Sequence, residues 1–447
     1  MKPWRNDSYS FPPLLSGETA VGARTALASI AADLADADLR VWHPQVTEPK
    51  RRPDLASLGN GDPGVALFLH YYGTAVGDTA CLDTASDLMR SALQIVSESR
   101  LAPGLYVGFT GVAWSLAHLA RVADGRYEAE GLESFDDVLW QLLVTRGGGC
   151  YYDLIGGLAG LAVYALERET PRADQCLERI VELLDQQALV RADEITWLTP
   201  ALELSPAQRP RYPNGCFDFG LAHGVPGVVS TLAAIRRRGI AEAATERLCR
   251  GAVRWMLRRR LPEQEKSRYP ARVGLDGERS PSRLAWCYGD IGIAMALAAA
   301  ASALNEPEWE EESLSTARHA AAVTQDGAGV VDASLCHGAA GLAHFFNRLA
   351  NRHADVTVRA ASLSWFSATL ELRGPTAGAG GYRYLSIALD GTSMWVPKPG
   401  LLEGAAGIGM ALLGALYETS PSWDAVFLGP HCDVISGSPI VDGASAP

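Results

Sequence analysis

Gly220-Leu221-Ala222-His223-Gly224-Val225-Pro226-Gly227 opens an apolar run that continues to Ile235. The same heading, Gly-x-x-Gly before an apolar run, recurs seven times, at Gly61/Gly64, Gly108/Gly111, Gly157/Gly160, Gly224/Gly227, Gly289/Gly292, Gly338/Gly341 and Gly404/Gly407. Runs such as Leu158 to Leu166, Val225 to Ile235 and Ile291 to Leu304 are apolar nearly all round, which marks helices buried on every side. Between the runs lie stretches with one polar face, including Asp83 to Glu98, Asp174 to Leu184, Ala241 to Arg258 and Trp309 to Val323. These form an outer helical layer. Glycine at the head of each inner helix permits a tight turn and close helix approach.

The first glycines stand at 61, 108, 157, 224, 289, 338 and 404, in steps of 47, 49, 67, 65, 49 and 66 residues. A step near the shorter value suits two helices and two connections. The three longer steps carry roughly 18 extra residues each, the size of a long loop or short hairpin. Arg191 to Asn214, Leu261 to Ser282 and Gly374 to Pro399, rich in turn-forming or charged residues, are where they fall. The expected fold is all-α, a double-layered α/α toroid of about seven helical-hairpin repeats with short β or loop insertions. An open solenoid has the same local pattern, so closure is an inference. The chain divides into an N-terminal helical segment (1–54), the toroid (55–420) and a C-terminal tail (421–447), frayed after His431.

At 447 residues the chain exceeds the size at which one core usually stops growing, a limit that repeats escape by packing on their neighbours. Hydrophobic residues make up 48% and charged ones 20%, the balance of a folded globular protein. A net charge of −12 argues against a nucleic-acid surface, which needs a basic stripe. The N-terminus lacks the apolar core of a signal peptide, and Ile291 to Leu304 is too short to span a bilayer. The expected location is cytoplasmic, with no transmembrane segment and the eight cysteines reduced.

Three consecutive repeats carry chemistry just before their first glycine: His223, the pair Cys287-Tyr288, and the pair Cys336-His337. Cys287, Cys336 and His337 form a three-ligand zinc set that leaves a fourth tetrahedral position open, the mark of a catalytic site. Spacing alone weighs this equally with two core cysteines and a capping histidine. His223 shares the slot of His337 and would move protons near neutral pH, or serve as a hydrogen-bonded structural residue. Asp153, four residues before Gly157, either caps a turn or holds His223 in one tautomer. Arg283, Tyr288 and Glu403 also fall near the slot, where each also reads as a surface or capping group.

Trp286-Cys287-Tyr288-Gly289, Cys336-His337-Gly338, Ala222-His223-Gly224, and Asp153 before Gly157-Leu158-Ala159-Gly160 together resemble the LanC family of lanthipeptide cyclases. The resemblance spans about residues 55 to 415 with all repeats in register. It implies an α/α toroid with a single zinc ion, on Cys287, Cys336 and His337, and thioether formation on a dehydrated precursor peptide. It further implies His223 and Asp153 as the acid/base pair, Arg283 and Tyr288 as assisting residues, and association with a dehydratase or an exporter. Two alternatives stand beside it. One is a LanC-like enzyme that adds glutathione to dehydroamino acids through the same site. The other is a non-catalytic peptide-binding scaffold whose structural zinc takes a fourth ligand from Cys216, His344 or Glu403.

Overall fold

The computed structural model describes residues 11–36, 52–374, 378–387, 392–418 and 422–428. Cys432 and the tail after His431 lie outside these described residues. Seven inner helices, Asp62–Val76, Phe109–Val122, Leu158–Glu167, Val225–Arg237, Asp290–Leu304, Ala339–His353 and Ala405–Leu416, each take the first glycine of a Gly-x-x-Gly as N-cap. The helices that follow them, Thr79–Glu98, Leu132–Arg146, Pro171–Gln187, Glu242–Leu257, Pro307–Ala321 and Val356–Glu371, make the outer layer. Each inner helix packs on the next, and the last packs on the first. The ring is therefore closed.

Closure is visible in the backbone two residues before each first glycine. Gly59 N–H donates to Tyr106 O (3.0 Å), Tyr106 N–H to Ile155 O (3.1 Å), and Leu154 N–H to Ala222 O (3.1 Å). Ala222 N–H then donates to Cys287 O (3.4 Å), Cys287 N–H to Cys336 O (3.3 Å), Cys336 N–H to Leu402 O and Leu402 N–H back to Gly59 O, both 2.8 Å. This circle joins all seven repeats at the ring mouth and pairs backbone groups of the turns that lead into the inner helices. The second glycine of each repeat makes the turn possible. At Gly341 an added Cβ would lie 1.9 Å from Leu335 O, a distance no side chain tolerates.

The helix Gly17–Ala35 has no repeat glycine ahead of it, yet it packs on the last and first inner helices and on outer helices to either side. It is the outer partner of the seventh inner helix, anchored by Leu14 and Leu15 N–H bonds to Ala415 O at 2.9 and 3.0 Å. At the other end of the chain, residues 422–428 enter the lumen. Tyr106 Oη donates to Val426 O (2.8 Å), Trp286 Nε1 to Phe427 O (3.0 Å), and Asp424 pairs with His344 and Arg348. Trp286, Phe345, Trp423 and Phe427 form the aromatic floor below the mouth.

The three long connections form small antiparallel sheets. β1 (Leu189–Arg191) pairs with β2 (Glu194–Thr196), and β6 (Tyr384–Ile387) with β7 (Ser393–Val396). β3 (Cys216–Asp218) pairs with β4 (Pro270–Gly274), which pairs with β5 (Arg279–Pro281), so one sheet bridges two connections. All three connect an outer helix to the start of an inner one. They therefore lie at the mouth, around the hydrogen-bonded circle. Among the described residues, no helix is long and apolar enough to cross a membrane.

Candidate metal centre and active site

Cys287 and Cys336 hold equivalent places in adjacent repeats and are joined by the circle itself, through Cys287 N–H and Cys336 O. Their thiols are thereby brought face to face, with the His337 ring beside them. Their sulfurs and a His337 ring nitrogen all lie within 4.8 Å of one another. The hydrogen bond from the Cys336 thiol holds the Cys287 thiol well below its ordinary pKa, with help from His337 and Arg283 against the opposing effect of burial. The Cys336 thiol is held well above its ordinary value, first by that same bond to Cys287 and then by burial.

His337 Nε2 lies 3.7 Å from Asp332 Oδ2, and that carboxylate oxygen is buried without a hydrogen-bond partner. Asp332 Oδ1 accepts from Ser334 N–H at 2.9 Å, which fixes the carboxylate. Arg283 Nη2 reaches the Cys287 sulfur at 3.4 Å. On the far side, the Tyr384 ring stands edge-on to His337 (centroids 5.5 Å apart), and its hydroxyl donates to Glu403 Oε1 at 2.9 Å.

One repeat away, His223 Nδ1 lies 2.8 Å from Asp153 Oδ2. The Asp153 side chain is buried, and its other oxygen accepts from Gly156 N–H at 3.0 Å. This is where the circle is irregular, with Ile155 O and Leu154 N–H sharing what one residue does elsewhere. The turn that Asp153 closes on Gly156 N–H holds the carboxylate against the imidazole. Burial lowers the His223 pKa, but the Asp153 hydrogen bond and charge outweigh it, with Asp218 and Cys287 adding to them, and the net shift is upward. The imidazole is 43% exposed, so its free edge meets solvent at the mouth.

The Tyr288 ring stacks beside His223, with centroids 6.0 Å apart and planes at 29°. Its hydroxyl turns outward and donates to Asp218 Oδ2 at 2.8 Å. Asp218 and Arg272 stand at no Gly-x-x-Gly slot in the sequence. They lie in connections, and only strand pairing brings them to the site.

None of the donors considered for a closed four-ligand site joins the cluster among the described residues. Cys216 is buried beside Leu204 and Tyr212, His344 Nε2 is 3.0 Å from Asp424, and Glu403 is held by Tyr384 and Lys398. Among the described residues the cluster is therefore three donors that could hold a metal ion, Cys287, Cys336 and His337.

The model of the lanthionine synthetase C-like proteins matches residues 52–428. The chain belongs to the lanthionine synthetase C-like family. Membership makes it an enzyme of lanthionine synthetase C type, a cyclase. The chain is similar to the nisin biosynthesis protein NisC of Lactococcus lactis subsp. lactis, 24% identical over 335 residues that cover 69% of this chain and 78% of the relative. The solved structure of nisin cyclase superposes with a TM-score of 0.70 at 20% identity, covering 87% of this chain and 96% of that one. That likeness establishes the toroid.

Proposed function

We propose that the enzyme adds a peptide cysteine thiol to the β-carbon of a dehydroalanine or dehydrobutyrine in the same peptide, closing a (methyl)lanthionine ring. One zinc ion held by Cys287, Cys336 and His337 serves the reaction. The carrying observation is the convergence of two thiols and an imidazole, within 4.8 Å, beside an aspartate-oriented imidazole on the same rim. Tetrahedral zinc with sulfur and nitrogen ligands sets donor atoms roughly 3.3–3.8 Å apart, within the observed span. The unpartnered Asp332 oxygen near His337 Nε2 is placed as carboxylates are that orient a ligating imidazole. The donors thus fit the metal.

A free thiol with a pKa of about 8.5 is only a few per cent ionised at neutral pH. Bound zinc would supply a deprotonated yet nucleophilic peptide thiol. As the new S–C bond forms at the β-carbon, the π pair moves away to give an enolate. Arg283, beside Cys287 at the rim, steadies the enolate oxygen. His223 as imidazolium, oriented by Asp153, gives its proton to the α-carbon and is reprotonated at its exposed edge, through water, by the proton that the peptide thiol releases. The net change is S–H added across C=C, with nothing oxidised or reduced.

The reading makes the chain a cytoplasmic enzyme acting after a dehydratase, with an exporter as a further partner. Its test is zinc content measured together with mass spectrometry of a dehydrated peptide, following loss of free thiol at constant mass. Glutathione, supplied in a parallel reaction, separates the two thiol sources. Addition of glutathione with no ring closure would replace the cyclase reading with the adduct-forming one.

A further inference from the structure

Tyr288 sits between two elements of different origin. Its backbone directly follows Cys287, a member of the circle, whereas its hydroxyl and one ring face are held by the β3–β4 sheet. Asp218 on β3 and Arg272 on β4 are directly opposite in the antiparallel register. Arg272 Nε lies 2.8 Å from Asp218 Oδ2, and the same oxygen accepts from Tyr288 Oη at 2.8 Å. Arg272 also donates through Nη2 to the phenol oxygen and lies over the ring, 4.5 Å from its centroid. The Asp218 side chain is 1% exposed and that of Arg272 12%, so this pair is a built contact and differs from a screened surface bridge.

Three local features hold the pair in place. Phe217 and Phe219, on either side of Asp218, pack on Trp255 of an outer helix with centroids 5.8 and 4.7 Å away. Strand alternation then turns Asp218 to the opposite side, toward Tyr288. Asp218 Oδ1 accepts from Gly220 N–H at 2.7 Å. Gly220 also leaves room for the ring, because a Cβ there would sit 2.8 Å from Tyr288 Cε1. A slip of one residue in the register would turn Asp218 and Arg272 to opposite faces of the sheet and break the pair.

We infer that Asp218 and Arg272 are positioning residues, which clamp the Tyr288 ring so that it walls His223 and fixes the side from which the α-carbon receives its proton. The phenol proton is committed to Asp218. Tyr288 therefore contributes its ring plane to the site, and Arg283 is left to meet the enolate. This inference rests on the cyclase reading above. It adds that facial selectivity is set by a sheet outside the helical ring.

The product itself supplies the readout. Protonation from one face gives one configuration at the α-carbon, and a loosened imidazole gives a mixture. Asp218→Asn, Arg272→Lys and Tyr288→Phe, in the full-length zinc-loaded enzyme, are each compared with wild type on a dehydrated peptide. Cyclisation rate, zinc content, melting temperature and the ratio of α-carbon epimers after hydrolysis are measured. The expected result is a rate loss of about 10- to 100-fold with zinc retained and the epimer ratio moved toward a mixture. Tyr288→Phe combined with Asp218→Asn should be no worse than either alone. A single configuration at wild-type rate in all three variants overturns the clamp. So does a rate loss that tracks a fall in melting temperature while the product stays a single epimer. If Asp218→Asn does not fold, Tyr288→Phe and Arg272→Lys decide the matter by the same ratio. His223→Gln is assayed alongside: wild-type cyclisation there sinks the acid/base reading and the clamp with it, whereas an inactive His223→Gln beside unaffected clamp variants sinks the clamp alone.

Discussion

Two arcs of one ring mouth share a backbone and differ in chemistry. In both, the residue two before the first glycine joins its neighbour through N–H and C=O. In both, the second glycine abuts a carbonyl three residues before the first. One arc carries His223, Cys287-Tyr288 and Cys336-His337, whereas the other presents Gly59-Asn60 and Tyr106-Val107 at the same places. The repeat thus supplies rigid and equivalent positions, and side chains at three neighbouring positions supply reactivity. A Cys, Cys, His cluster that spans two repeats is assembled by their equivalence, not by a motif within either one.

The largest effect expected from breaking this difference is at a ligand. Cys336→Ala should lose stoichiometric zinc and bring ring formation to background, read by metal analysis and mass spectrometry. Zinc retained at full stoichiometry would remove Cys336 from the ligand set. Next is His223→Ala, which should keep zinc and slow cyclisation by about 10²–10⁴-fold. Cyclisation at the wild-type rate would end its role as proton donor.

The third expectation concerns pH. The His223 pKa is raised, so the imidazolium donor persists above the ordinary histidine value and activity falls as pH rises through the raised one. Asp153→Asn removes the raising bond and charge, leaves burial to lower the pKa, and should move the alkaline limb of the rate profile to lower pH. An unmoved limb would show that another group titrates there.

Smaller effects should be alike in the two arcs. Gly111→Ala and Gly341→Ala place a Cβ 2.0 and 1.9 Å from a turn carbonyl, and each should cost about 1–3 kcal/mol of stability. Denaturant unfolding would measure both, and a large disparity would show that the arcs are not equivalent scaffolds. The smallest change is expected for Val107→His, which puts an imidazole in an empty slot that is 56% exposed. Stability should stay within about 0.5 kcal/mol, with no second zinc by metal analysis.

Much of the fold was legible because helical burial is a local pattern. Apolar runs such as Val225 to Ile235 have no polar face to offer solvent, and a glycine heads every one. Cys287, Cys336, His337, His223 and Asp153 could be read because each stands at a fixed offset from a glycine. Other features left no local trace. Helix Gly17–Ala35 carries no repeat signature, and its place beside the seventh inner helix depends on where the ring ends meet. Residues 422–428 looked like a tail because Trp423 and Phe427 find their partners only inside a lumen made by the whole ring.

By itself the sequence determined the repeat, its two layers and the side chains at each slot, since these depend on periodicity and on residues a few positions apart. Only the tertiary structure decided that the ring closes, that Cys287 meets Cys336, and that Asp218 and Arg272 flank Tyr288 from a bridging sheet. Those are contacts between groups separated by about 15 to 340 residues. Hydrogen bonds and strand register at such separations form only once the chain has packed, and no local propensity encodes them.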